Sequence, residues 1–402
     1  MPRDLAALRR RFETELFERV LPFWERHSPD RVHGGYYNCL DRDGAVYSPS
    51  KHVWLQGRQA WMFAKLVRTV EARPVWLELA RSGADFLRRH AIRDDGRVYF
   101  QLAADGRPQG LQRKIFSECF YAMALAEVGR ASGDAPMVRE AEAVLERLFV
   151  WADDWSHVGR VAYEGSEPLA MLAVPMILLN LVEEVGGTDD GPGGWRRYEA
   201  HVDGLLDRVM RHVHADRRLV FEHVRPDGSL ALDTPEGRLL NPGHAIEAGW
   251  FIRHWAERLA RPDLVRTADA LVGWSHDAGW DAAHGGLLYF LDSEGFSPTQ
   301  LEWPMKLWWP HCEALYAHLR TALKSDDAAT RTAAWARFDA TFDYTFAHFP
   351  DPEHGEWYGY LDREGRVTHR FKGGPYKGCF HVPRALWLCW RLLGEHADEA
   401  AA

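Results

Sequence analysis

Three histidines stand at one fixed distance, sixteen residues, behind a glycine that ends a short acidic turn. Gly228 of Pro226-Asp227-Gly228 leads to His244, Gly295 of Ser293-Glu294-Gly295 to His311, and Gly365 of Arg363-Glu364-Gly365 to His381. Imidazole is the side chain that titrates near neutrality, so histidines drawn from separate segments to equivalent positions suggest proton transfer. Each also has polar company. Glu247 follows His244 by three residues, Arg384 follows His381 by three, and Glu313 follows His311 by two. On a helix, residues three or four apart share a face. Glu247 is therefore expected to orient His244, and Arg384 to point the same way as His381. Helix phase does not decide whether His311 or Glu313 is the inward residue. Arg58 and Glu118 take similar early positions in two further segments, where each serves either as a rim salt bridge or as a contact to a bound molecule.

The elements that must position these groups come from the same repeat. Asp41-Arg42-Asp43-Gly44, Ala104-Asp105-Gly106 and a degenerate Tyr163-Glu164-Gly165 extend the turn series, giving glycines at 44, 106, 165, 228, 295 and 365. Upstream of most of them lies a Gly-aromatic or apolar run, such as Gly285-Gly286-Leu287-Leu288-Tyr289-Phe290, which predicts one arm of a small hairpin. Between the turns the periodicity is helical. Residues 115–131, 170–186, 243–260, 306–323 and 380–394 are apolar on nearly all sides and predict buried helices. Residues 74–91, 135–152, 195–213, 263–277 and 331–348 carry one apolar stripe and predict outward-facing helices. Six units of outer helix, hairpin loop and inner helix close into an (α/α)6 barrel over residues 1–402, with short β-hairpins at one end. An open α-solenoid would use shorter repeats of about 34–47 residues. The Gly-rich loop 186–194 is read as a surface connection inside one domain.

Composition narrows the partners. A net charge of −9 and the lack of basic blocks argue against nucleic acid. No run reaches the length of a membrane span, and the N-terminus lacks the apolar core of a signal peptide. Five cysteines without paired spacing suit reduced thiols in a cytoplasm. No metal is expected, because neither His-Glu-x-x-His nor paired Cys-x-x-Cys occurs. A Gly-x-Ser-x-Gly nucleophile elbow is also missing. Most of the eighteen tryptophans are expected to fill the barrel. Trp303, Trp308 and Trp309, just before His311, are the candidates for stacking on a flat ligand such as a sugar.

Longer segments carry a resemblance. Pro298-Thr299-Gln300-Leu301-Glu302-Trp303, Met305-Lys306-Leu307-Trp308-Trp309-Pro310-His311, Asn241-Pro242-Gly243-His244, Glu247-Ala248-Gly249-Trp250 and Lys377-Gly378-Cys379-Phe380-His381-Val382-Pro383-Arg384 resemble the N-acylglucosamine 2-epimerase (renin-binding protein) family. The resemblance implies an (α/α)6 barrel that interconverts N-acetylglucosamine and N-acetylmannosamine. It implies His244 and His381 as the pair that removes and returns the C2 proton of the open-chain sugar. Arg58, Glu247, Glu313 and Arg384 match pocket residues of the family, and Glu118, Trp309 and His311 are added here as substrate contacts. No cofactor is required by this chemistry. ATP as an activator, a homodimer and a cytoplasmic location are implied by the resemblance alone. Relatives acting on free sugars carry a further histidine in the third inner helix, where this chain reads Leu172-Ala173-Val174-Pro175-Met176-Ile177. That favours the N-acyl sugar over an epimerase or aldose–ketose isomerase of unmodified sugars. A sugar-binding protein without catalysis and a glycoside hydrolase with paired carboxylates are the readings from other classes.

Overall fold

The computed structural model describes residues 3–159, 164–165, 167–187 and 194–401. Tyr163 and residues 188–193 of the glycine-rich loop lie outside them. The inner helices are Val53–Thr69, Phe116–Ser132, Ala173–Gly186, Pro242–Arg258, Trp308–Lys324 and His381–Ala401. Pro74–His90, Ala135–Asp153, Glu199–Met210, Pro262–Gly279 and Ala328–His348 form the outer layer. Its sixth member comes from the N-terminal end, as Leu5–Thr14, a π-helical turn Glu15–Val20, and Leu21–His27. Phe17 meets Trp390 edge-on at 5.4 Å, which seats this run on the sixth inner helix.

Local sequence sets the helix ends. Asp134 and Asp327 accept backbone N–H bonds from Met137 and Thr330, at 3.0 and 2.7 Å, and so cap two outer helices. Proline stands in the first turn of several others, where no N–H is needed. Buried apolar side chains run as one core from Phe12 to Leu393. All five cysteines are buried and free.

The six turn glycines lie between φ +80° and +90°, a conformation that only glycine adopts without strain. Amide-to-carbonyl bonds such as Gly44 to Asp41 at 3.0 Å and Gly365 to Asp362 at 3.1 Å close the turns. The predicted hairpins form around three of them: Cys39–Leu40 with Val46–Ser48, Gln101–Leu102 with Pro108–Gly110, and Tyr360–Leu361 with Val367–His369. Elsewhere the pairing differs. His223–Val224 pairs with Ala170–Met171, and Leu291–Asp292 with Leu239–Leu240, the segments that lead into the preceding inner helices. The Gly-aromatic runs close a separate, earlier turn just after each outer helix, as in the bridges Trp280 to Leu287 and Pro350 to Trp357.

This cross-unit pairing stitches the mouth of the barrel. Lys51–His52 pairs with Gln101–Leu102, and Lys306–Leu307 with Tyr360–Leu361, each joining one unit to the next. The ring closes when the Lys372 amide donates to the Leu40 carbonyl at 2.9 Å, with the Leu40 amide returning a bond to Gly373 at 3.2 Å. Below, Trp61 packs on Phe380 and Trp387 at 5.3 and 6.4 Å. Three fully buried lysines clamp the strands to the turns after the outer helices: Lys51 on Asp30 at 2.7 Å, Lys306 on Asp281 at 3.2 Å, and Lys372 on Asp351 at 3.0 Å. The result is an (α/α)6 barrel whose inner helices all begin at the stitched end.

Candidate active site

The first turns of the inner helices converge on that end, and most of the expected residues meet there. Arg58, Glu247 and Glu313 each occupy the sixth position of an inner helix, while His244 is third in the fourth helix and His381 opens the sixth. Asn241 caps the fourth helix by accepting the His244 amide at 3.2 Å, which fixes where that imidazole starts.

Each histidine is held by a carboxylate from a different segment. His244 Nδ1 lies 3.0 and 3.1 Å from the two oxygens of Glu222. The Glu222 backbone is itself pinned on both sides, its amide donating to Leu239 and its carbonyl accepting from Leu172. His381 Nδ1 lies 2.7 Å from Glu313 Oε1. In both, Nδ1 is engaged by a carboxylate, which leaves Nε2 for the chemistry. Glu247 does not orient His244. Its carboxylate accepts from Arg384 Nη2 at 2.6 Å, and the same nitrogen donates to Glu313 at 2.7 Å. Trp250 Nε1 completes the set by donating to Glu313 Oε2 at 2.9 Å. Ligand atoms of Glu247, Glu313 and His381 lie within 4.8 Å of one another, a spacing an ion could use. Arg384 already supplies the positive charge between the two carboxylates.

Trp309 stands between the histidines, its ring centroid 5.2 Å from His244 and 5.8 Å from His381. Gly243 makes room for it, since a Cβ there would sit 2.5 Å from the indole. Gly243→Ala should therefore displace Trp309 and lower kcat/KM by about 10–100-fold with the fold retained, as kinetics and circular dichroism together would measure. Arg58 is caged by Phe120, Trp54 and Phe380, with 4.0, 5.0 and 5.0 Å from its guanidinium carbon to the rings. No carboxylate is within ion-pair distance of it among the described residues, and burial pushes it down to about 9 despite Glu247. A guanidinium so placed is a ready donor for a developing oxyanion.

Four expected contacts go elsewhere. His311 is fully buried, with Nε2 accepting the Leu287 amide at 2.9 Å and Nδ1 donating to the Leu307 carbonyl at 2.7 Å. Both nitrogens are spent, and burial holds the ring near a pKa of about 3, so it is a neutral structural link. Glu118 accepts from Arg97 Nε at 2.7 Å and from the Val98 amide at 3.0 Å. Arg97 in turn holds the carbonyls of Gln112 and Lys114, so Glu118 secures the loop before the second inner helix. Trp308 is buried against Tyr360 at 5.2 Å, and Trp303 lies in the preceding loop. Glu222 was not anticipated. Its signal is a lone acid in the apolar run Leu219-Val220-Phe221-Glu222-His223-Val224.

The two imidazoles are biased in opposite senses. Burial disfavours a charged His244, but Glu222 more than reverses this, and its pKa is raised. His381 is held well below the ordinary imidazole range by burial, then by the Arg384 and Arg58 guanidiniums. Glu313 does not restore it, because Arg384 already neutralises the same oxygen. An imidazole biased towards its protonated form and one biased towards its neutral form thus face one indole, an arrangement suited to proton transfer. Activity should fall at low pH as His381 protonates and at high pH as His244 deprotonates. Glu222→Gln removes what raises His244, so the alkaline limb of kcat/KM should move to lower pH while the acid limb stays in place.

The sequence pattern described as N-acylglucosamine 2-epimerase (GlcNAc 2-epimerase) matches residues 35–385. The N-acylglucosamine 2-epimerase of Homo sapiens is 44% identical over 396 residues, covering 97% of this chain and 91% of that protein. The cellobiose 2-epimerase of Bacteroides fragilis is 23% identical over 411 residues, covering 96% of this chain and 99% of that one. Among solved structures, the cellobiose 2-epimerase from Bacillus thermoamylovorans B4167 has a TM-score of 0.79 at 18% identity, over 97% of this chain and 100% of that chain. A D-mannose isomerase has a TM-score of 0.80 at 17% identity, over 98% and 100%. At such identities the structural likeness concerns the barrel alone.

Proposed function

The chain belongs to the N-acylglucosamine 2-epimerase family, and from that premise we propose that it interconverts N-acetylglucosamine and N-acetylmannosamine by two-histidine proton transfer at C2. The protein is an isomerase of carbohydrates. The observation that carries the mechanism is the pair of imidazoles beside Trp309, each fixed by its own carboxylate and biased to opposite protonation states.

The C2 proton becomes acidic only when the ring opens and C1 is an aldehyde. Neutral His381 accepts that proton through Nε2, and the electron pair moves onto the C1 oxygen as an enolate whose C2 bears the acetamido nitrogen. Arg58, with no carboxylate at ion-pair distance among the described residues, stabilises this oxyanion. Protonated His244 then delivers its proton to the other face of C2, giving the epimer. The reverse reaction exchanges the two roles. Each carboxylate keeps its imidazole in one tautomer throughout. The helix entrance Leu172-Ala173-Val174-Pro175-Met176 is apolar and buried, which supports an acetyl-bearing sugar.

Family membership also carries ATP activation without consumption, a homodimer and a cytoplasmic location into this proposal. No helix among the described residues is long and apolar enough to cross a membrane. The substrate reading is tested by incubating the protein with N-acetylmannosamine, with and without ATP, and following the products by NMR. Formation of N-acetylglucosamine supports it. A ketose product would indicate an isomerase, and turnover of mannose or glucose in preference would indicate a free-sugar enzyme.

A further inference from the structure

Arg58 and the two imidazoles serve the C1 oxygen and C2 of the sugar, which leaves its other hydroxyls without a partner. Those hydroxyls give up water on entering the site and need hydrogen bonds in exchange. The nearby carboxylates are already bonded: Glu222 to His244, Glu247 to Arg384, and Glu313 to Arg384 and His381.

Tyr289 stands beside them. It belongs to the run Gly285-Gly286-Leu287-Leu288-Tyr289-Phe290, whose backbone is fixed at four successive amides. Leu287 donates to His311 Nε2 at 2.9 Å, Leu288 to the Gly279 carbonyl at 2.9 Å, Tyr289 to Met305 at 3.0 Å and Phe290 to Trp303 at 3.2 Å. The third histidine of the repeat thus helps to seat this segment against the fifth inner helix. The Tyr289 ring lies on Phe290, with centroids 3.9 Å apart, and meets Trp309 edge-on at 6.1 Å. Trp309 is the indole that stands between the two imidazoles.

The hydroxyl is the free group of this arrangement. It makes no hydrogen bond among the described residues, and it is not closed off as the Tyr344 hydroxyl is. The side chain is only partly buried. Burial, followed by Glu302 and Glu222, raises its pKa, so it stays a neutral O–H donor where imidazoles titrate. Glu222 is also the partner of His244. A phenol on a ring already held in place loses little freedom when it bonds a ligand.

Resting on the reading of the site as one for an open-chain sugar, we propose that Tyr289 is a substrate-contacting residue. Its hydroxyl donates to the sugar hydroxyl on C3, C4 or C6 and sets the chain against Trp309, between the imidazoles. A sugar without that hydroxyl is then disfavoured, because the contact cannot form.

The test compares the parent with Tyr289→Phe, which removes one oxygen and keeps the ring. The ligands are N-acetylmannosamine and its analogues lacking the C3, C4 or C6 hydroxyl. Affinity is read by titration calorimetry and turnover by NMR. Tyr289→Phe should lower affinity and kcat/KM for N-acetylmannosamine about 3–10-fold. Thermal unfolding should not change, since the hydroxyl bonds no protein group among the described residues. Towards one of the analogues the parent should lose a similar factor and the variant nothing further, because both changes delete the same hydrogen bond. Equal affinity and kcat/KM in variant and parent, or no sugar binding by the parent, would overturn the contact. A loss of the same size towards every analogue would also overturn it, since the oxygen would then serve the fold. A parent that binds these sugars without epimerising them would refute the catalytic reading alone, because the affinities still decide the role of Tyr289.

Discussion

His381→Asn and His244→Asn should each lower epimerisation by a factor of about 10³ or more, with thermal unfolding close to that of the parent. Asparagine can still donate to Glu313 or Glu222, so the fold loses little when the titratable ring goes. On the proposed mechanism the chemistry loses one of its two proton carriers. The variants should nonetheless differ from an inert protein. His244→Asn retains His381, which can still remove the C2 proton from the epimer that faces it and return a solvent proton to the same face. Slow exchange of that epimer without conversion is the expected signature, followed by NMR in deuterated water. Full turnover by either variant would contradict the two-histidine assignment.

The second large effect concerns Arg384. This guanidinium bridges Glu247 of the fourth inner helix and Glu313 of the fifth from its place on the sixth, all three side chains being nearly inaccessible. Removing one partner of a buried ionic network costs more than the network contributes, because the remaining charges stay buried without compensation. Arg384→Met should lower stability by about 3–5 kcal/mol, measured by denaturant titration, and should abolish turnover. The double variant Arg384→Met, Glu247→Gln relieves one of the two stranded carboxylates. It should recover part of the stability and none of the activity. Recovery of both would mean that Arg384 serves the fold alone.

How far the sequence foretold this site depends on the range of the contacts. The barrel was legible because its signals are local: glycines that must adopt positive φ, and apolar patterns that separate inner from outer helices. That His244 and His381 would meet at the barrel mouth was legible through their repeated offset and the motifs around them. Their partners were not. Glu247 is a sound choice for His244 by helical spacing, yet the true partner, Glu222, lies 22 residues away on a stitched strand. Glu313 lies 68 residues from His381. At a barrel mouth the nearest carboxylate comes from the neighbouring unit, which spacing along one helix does not reveal. His311 illustrates the same limit. Its offset equals that of the other two, but it is fourth in its helix where His244 is third and His381 first. What takes His311 out of the site is its own bonding, to the Leu287 amide and the Leu307 carbonyl inside the wall. Glu118 is third in its helix, as His244 is, and was taken instead by Arg97. The buried clamps of Lys51, Lys306 and Lys372 were missed because a lysine in sequence reads as surface.

The central claim is that two separate groups, on opposite faces of C2, remove and return the proton. It is tested most directly by converting unlabelled N-acetylmannosamine in deuterated water and measuring deuterium at C2 in both sugars at early times. The account predicts a product that carries deuterium at C2 from the first turnovers, beside remaining substrate that is still unlabelled. A product that keeps the substrate's own proton would contradict it, because one group would then have served both faces.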